Sequence, residues 1–252
     1  MFAKNVKKLM SLKPKTRNLI NEKLPAEIIK MIFHLMKPRD MKTVVLVCKW
    51  WRDIGEAPSL WQWATVTVTE KNLKDMPNVL EARRLEALRS LGLRADSDAL
   101  LLAISKHPGL KSLDMHANIN ANLSSADPIL LAKALGKLES VSMFKAHLTK
   151  EQLKSLMSTF LSGANTHTLN IGDTDISTVA PSLLASAINM LNSVGLYWTE
   201  ITHNQITAIL TEACDETKLS SLTIMTDERI DKDLILKASK KLDLKIQRNL
   251  IF

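Results

Sequence analysis

Six histidines, two cysteines and 26 acidic residues are the side chains from which this 252-residue chain would have to assemble a metal centre or an acid–base site. His34, His107, His116, His147, His167 and His203 include no pair at the i, i+4 spacing that sets two imidazoles on one helical face for zinc. Cys48 and Cys214 lie 166 positions apart, each in an apolar helical pattern. They form neither a Cys-x-x-Cys pair nor a disulfide framework, so a reducing compartment is expected. The seven glycines are too dispersed for a phosphate-cradling loop, and Gly-x-Ser-x-Gly is absent. The carboxylates fall on helical patterns, where a solvated face is their ordinary place. No catalytic residue, cofactor or metal is expected. The chemistry on offer is binding, through a few aromatics. Four of the five tryptophans lie between positions 50 and 63, and beyond Trp63 only Phe144, Phe160, Tyr197, Trp198 and Phe252 are aromatic.

The tryptophan cluster ends a stretch, Leu24 to Trp63, that reads as short helices with more apolar surface than they can bury. Pro25 suits a first helical turn, where its missing N–H costs nothing, and Glu27 favours the positive end of the helix dipole. Ile28, Ile29, Met31, Ile32, Phe33, Leu35 and Met36 leave only Lys30 and His34 polar between them. That set is wider than one stripe and predicts burial on two sides at once. Lys37-Pro38-Arg39-Asp40 breaks the helix. A second helix is expected over Met41 to Arg52, although its β-branched run is a poor helix former, with Gly55 as its stop. Helices this small are marginal alone, and a partner surface is the natural place for the excess apolar area.

Leu24-Pro25-x-Glu27-Ile28-Ile29-x-x-Ile32-Phe33, then Val47-Cys48-Lys49-x-Trp51-Arg52, then Leu60-Trp61 resembles an F-box in residue order and spacing. The resemblance implies a three-helix module docking on the Skp-type adaptor of a Skp–cullin–F-box ubiquitin ligase. It assigns adaptor binding to Leu24, Pro25, Glu27, Ile28, Ile29, Ile32, Phe33, Leu46, Val47, Trp51, Leu60 and Trp61, with Trp61 the expected hot spot. Lys49 stands where Arg is frequent, and Met41 where Leu is usual.

From about residue 85 the chain repeats itself. Leu-x-x-Leu-x-Leu patterns start at Leu88, Leu110, Leu138, Thr166, Leu191 and Leu219, at steps of 22, 28, 28, 25 and 28. Trp63-x-x-Val66-x-Val68 opens the series and Leu244-x-Ile246 closes it. Each copy alternates with period two, as a half-buried strand does. Helical patterns fill the gaps over 97–107, 125–137, 149–161, 177–191, 202–214 and 231–241, and Thr149-x-x-Gln152 and Thr202-x-x-Gln205 are capping-box starts. Strand–helix units of this length bury their apolar face only by stacking. These spacings, with Leu110-x-x-Leu113-x-Met115-x-x-Asn118, resemble leucine-rich repeats of the longer, helix-containing type. At the family's inward Asn position the other copies hold Asp96, Ala146, Thr174, Thr199 and Asp227.

In each copy the residues flanking the inner apolar positions point to the open face of the sheet. Two columns hold mostly small or polar residues. The third reads Arg94, His116, Phe144, Gly172, Tyr197 and Met225, with Trp198 adjacent, and is the expected partner-binding surface. The fold class read from the chain is thus α/β: a short leucine-rich-repeat solenoid, parallel strands inside and helices outside, preceded by a three-helix F-box-like module.

Charge separates one more segment. Seven cations face Glu22 alone in residues 1–23, a net +6 of the chain's +8. That tail reads as a solvated extension, a nuclear-localisation or nucleic-acid patch, or a mitochondrial transit segment. No stretch is apolar over the roughly 18 to 20 residues a bilayer span needs, so no membrane partner is expected, and nucleic acid is not expected either. The chain divides into a basic tail (1–23), the F-box-like module (24–63) and the solenoid (64–252). By resemblance it is a substrate-recognition subunit of a cytoplasmic or nuclear ubiquitin ligase. Its expected partners are the adaptor, through it a cullin, and a substrate protein. The alternative is a non-enzymatic leucine-rich-repeat scaffold or assembly factor with a degenerate F-box, in mitochondria if the tail is a transit segment.

Overall fold

A computed structural model describes residues 24–36, 38–62, 64–82, 85–93, 98–116, 123–215 and 217–247. The basic tail, Arg94, Asp96 and Asn118 lie outside these. Contacts divide the chain between Leu60 and Trp61 into two compact units.

The first unit holds helices α1 (Ala26–His34), α2 (Pro38–Val44) and α3 (Lys49–Gly55) and a 3-10 turn, Pro58–Leu60. Pro25 precedes α1, its carbonyl accepting from the Ile28 and Ile29 amides. The single helix expected over Met41 to Arg52 is two helices. Pro38 opens α2, as proline at a first helical position does. The break falls at Val45–Val47, where the β-branched run gains least from helix. Cys48 then takes an extended conformation and caps α3, its Sγ accepting from the Trp51 amide at 3.5 Å. The split lets Met41 and Val44 of α2 and Ile54 of α3 all be buried. The helices meet closely at Gly55, where a Cβ would stand 3.0 Å from Val45 Cγ1.

The second unit is an eight-stranded parallel sheet in sequential order. Its strands are β1 (Thr65–Val68), β2 (Ser90–Leu93), β3 (Ser112–His116), β4 (Ser140–Phe144), β5 (Thr168–Gly172), β6 (Ser193–Tyr197), β7 (Ser221–Met225) and β8 (Asp243–Gln247). They fall on the eight repeat copies, the opening and closing half-copies included. Between them run α4 (Met76–Leu80), α5 (Asp98–Lys106), α6 (Pro128–Gly136), α7 (Lys150–Leu161), α8 (Pro181–Asn189), α9 (His203–Ala213) and α10 (Lys232–Ala238), each packed on the next. The short α4 and a 3-10 turn, Leu123–Ser125, were not foreseen.

Register places like positions of successive copies side by side. Leu91, Leu113, Val141, Leu169, Val194 and Leu222 form one buried row across β2–β7. Met115, Met143, Ile171, Leu196 and Ile224 form a second. The degenerate copy puts Thr166 where the others have Leu or its like. It stays buried because its hydroxyl donates to the Leu135 carbonyl at 3.2 Å.

Polar side chains tie each repeat to the one before it. Gln152 and Gln205 close the two expected capping boxes, and both are buried. Gln152 Nε2 also donates to the Leu123 and Ala126 carbonyls at 2.6 and 2.7 Å, and Gln205 Nε2 to those of Ile176 and Val179 at 2.8 and 2.7 Å. Lys137 Nζ reaches the Ser105 and His107 carbonyls in and just after the last turn of α5, and Lys241 Nζ those of Cys214 and Asp215 past α9. Helix C-termini leave carbonyls unpaired and carry partial negative charge, so an ammonium answers both needs.

The turns after the strands depart from the expected pattern. Lys145, Asp173 and Trp198, each just past its strand, are left-handed, at φ 56°, 47° and 51°. Lys145 and Asp173 remain in the ladder, their amides donating to the Gly172 and Tyr197 carbonyls at 2.9 Å. Ala146, Thr174 and Thr199 are then buried, and Thr174 Oγ1 donates to Gly172 O. The copy that starts at Leu219 has no left-handed residue after its strand, so the buried position moves one earlier. Thr226 is inside and Asp227, expected there, is exposed.

Candidate interaction sites

Helix α1 presents two apolar faces. Ile29 and Phe33, four apart, are buried; Ile28, Met31, Ile32 and Leu35, at i, i+3, i+4 and i+7, are exposed, Leu35 to 88%. The burial on both sides expected from sequence is therefore met on one side only within the described residues. Phe33 meets Trp51 of α3 edge to face, ring centroids 5.5 Å apart and planes at 70°, an aromatic contact of about 0.5–1.5 kcal/mol beyond area burial. Arg52 Nε donates to the Val45 carbonyl at 3.1 Å and steadies the turn between α2 and α3. That turn exposes Leu46, to 60%, and Val47.

The F-box-like family model matches residues 21–66. No curated protein matches the chain. Within the F-box-like module the twelve residues assigned to adaptor binding divide by burial. Ile29 and Phe33 are buried in the first unit, and Trp61, the expected hot spot, which begins the second, is only 9% exposed. Leu24, Trp51 and Leu60 are half-buried, whereas Pro25, Glu27, Ile28, Ile32, Leu46 and Val47 stand outside. Met31 and Leu35 belong with the outer group although the assignment omits them. The signal was their helical spacing from Ile28.

The second surface is the open face of the repeat sheet. Backbone pairing sets His116, Phe144, Gly172, Tyr197, Met225 and Gln247 in one row. The His116 side chain, like Arg94, lies outside the description. Phe144 and Tyr197, on strands separated by β5, approach with ring centroids 5.7 Å apart and planes within 22°. Glycine makes this possible. A Cβ on Gly172 would stand 2.3 Å from Phe144 Cδ1, and one on Gly195 would stand 2.4 Å from Tyr197 Cε2 and 2.5 Å from Asn170 Oδ1. Each ring thus occupies the space that a side chain from the sheet would fill. Both rings are half-buried, as is Met225 beside them. Trp198 is 51% exposed.

His107, found in a loop after α5, is structural. Its Nε2 donates to the Leu85 carbonyl at 2.8 Å, and its Nδ1 accepts from the Leu110 and Gly109 amides at 3.0 and 3.2 Å. Two donors aimed at Nδ1 fix the neutral Nε2–H tautomer. Burial disfavours the imidazolium and pushes the pKa below the ordinary 6.5; nearby Lys137 pushes the same way, against the Leu85 carbonyl and Glu86. Among the described residues no group of three or more His, Cys, Asp or Glu is placed to hold a metal ion. No described helix is long and apolar enough to cross a membrane.

Proposed function

We propose that this chain is the substrate-recognition subunit of a Skp–cullin–F-box ubiquitin ligase, acting in the cytoplasm or nucleus. The module of residues 24–63 docks on a Skp-type adaptor and, through it, a cullin. The sheet of residues 64–252, read as leucine-rich repeats, holds the protein to be modified, and ubiquitin transfer is the work of other subunits. One observation carries this reading: the segment that matches the F-box-like model also leaves its apolar stripe, Ile28, Met31, Ile32 and Leu35, in water. A large aliphatic side chain moved from water to a protein interior contributes about 1.5–3 kcal/mol. Four such residues, with the exposed Leu46 and Val47 of the turn between α2 and α3, supply apolar area of the size a stable interface needs.

The buried Ile29 and Phe33 then act by shaping the first unit, and the exposed residues make the contact. The test is capture of purified Skp-type adaptor by the full chain. Ile32→Asp with Leu46→Asp changes two exposed residues and should weaken capture at least about tenfold with the repeat unit's melting unchanged. Wild-type chain that captures no Skp-type adaptor refutes the proposal.

A further inference from the structure

The turns beside the Phe144 and Tyr197 rings carry the information about what covers them. Asp173 follows Gly172, the residue under the Phe144 ring, and its amide is bonded to the Tyr197 carbonyl. Asp175 bridges to Glu200, two residues beyond Trp198. Asp173, Asp175 and Glu200 are all exposed, with Lys145 a cation at the end of the neighbouring β4 and Arg229 another in the turn after β7. Among the described residues no ion pair joins any of these carboxylates to Lys145. Asn170 adds a neutral acceptor, its Oδ1 standing beside the Tyr197 ring over Gly195. Half-exposed aromatic faces with a carboxylate margin suit a cation, and a planar one best. A guanidinium stacks on a ring and also presents N–H groups to carboxylate and amide oxygens. An anionic segment would meet the carboxylates with like charge, and a purely apolar one would desolvate them with only Ser177, whose amide and hydroxyl donate to Asp175 Oδ1, as a partner.

Resting on the reading that the repeat sheet holds the client protein, we infer that the client docks here through a basic segment. Its arginine side chain lies over the Phe144 and Tyr197 rings and reaches the carboxylates at the ends of β5 and β6. The whole chain is +8, so general electrostatics oppose a cationic ligand, and attraction must come from this margin.

The probe is a fluorescein-labelled peptide of repeated Arg-Ser pairs, titrated against the full chain by anisotropy. It is compared with versions carrying Lys or Gln for Arg and with one carrying phosphoserine for Ser. The arginine peptide should bind at least about tenfold tighter than the glutamine one, with lysine between. D173N with E200Q should lower affinity about fivefold and flatten its salt dependence, and Tyr197→Ser should lower it about fivefold. Lys145→Glu should raise affinity about threefold at low salt, a gain that misfolding cannot produce. Equal affinity for the arginine and glutamine peptides, preference for the phosphopeptide, or no binding of the arginine peptide below about 1 mM overturns the inference. So does unchanged affinity in D173N with E200Q. Adaptor capture on the same preparation separates the failures. Capture without peptide preference sinks the basic client alone, and preference without capture sinks the ligase.

Discussion

Burial strips the His107 imidazolium of its water, and this outweighs the pull of the Leu85 carbonyl, so the ring titrates below the ordinary histidine value. The sign of the pH effect follows. Above about 6.5 the ring is neutral folded or unfolded, and its hydrogen bonds stabilise the fold in full. As pH falls through that value the unfolded chain takes up a proton that the native ring resists, and stability is lost until pH passes the lower folded pKa. Urea midpoints should therefore fall between about pH 7.5 and 5.5, and His107→Gln should reduce that fall while lowering stability throughout; an equal slope in the variant removes His107 as the cause. Gly109, two residues on, tests the same corner sterically. A Cβ there would come within 2.2 Å of the Glu86 carbonyl oxygen. Since backbone has to yield, Gly109→Ala should cost about 1–3 kcal/mol in chemical denaturation. Trp61 is mostly buried, and Trp61→Ala should lower the protein's stability in chemical denaturation.

At the scale of elements, periodicity was readable and reach was not. Period-two apolar copies mark all eight strands, and the six helices with clear amphipathic patterns lie where those patterns put them. The helix expected over Met41 to Arg52 misleads because its apolar residues continue through a turn that Cys48 caps. No glycine or asparagine marks the left-handed Lys145, Asp173 and Trp198. Such a conformation costs a non-glycine residue of order 1–3 kcal/mol, and at Lys145 and Asp173 ladder hydrogen bonds offset it. Likewise Thr-x-x-Gln announces a capping box, but the carbonyls that Gln152 and Gln205 hold lie 26 to 29 residues upstream. This sets a ranking. Gln152→Leu removes a local cap and leaves two carbonyls of the preceding turn without their donor, and should cost about 2–4 kcal/mol. Thr149→Ala removes only the cap hydroxyl and should cost about 1 kcal/mol. Equal losses would mean the backward bonds contribute little. Stacking gives a second contrast: Leu113→Ala, buried within the stack, should cost about 2–5 kcal/mol, and Leu244→Ala on the terminal strand clearly less.

For the whole molecule, the proposed division of labour rests on two surfaces, one on each unit. The F-box-like pattern was legible as residues at spacing, because the motif sets particular apolar types at particular helical positions. Which of those residues face out was not, since Ile28 and Ile29 are neighbours of one type with opposite fates. The third column of the sheet was legible from repeat register; the way Phe144 settles over Gly172 depends on the empty space that a glycine leaves on the adjacent strand. The most direct measurement of the central claim is affinity purification of the full chain from cells, read by mass spectrometry beside Ile32→Asp with Leu46→Asp. A Skp-type adaptor and a cullin should be recovered in near-stoichiometric amounts with the wild type and lost with the variant, while proteins held by the repeat sheet are retained by both. Recovery of those proteins with no adaptor or cullin from the wild type would contradict the account and leave a repeat scaffold in its place.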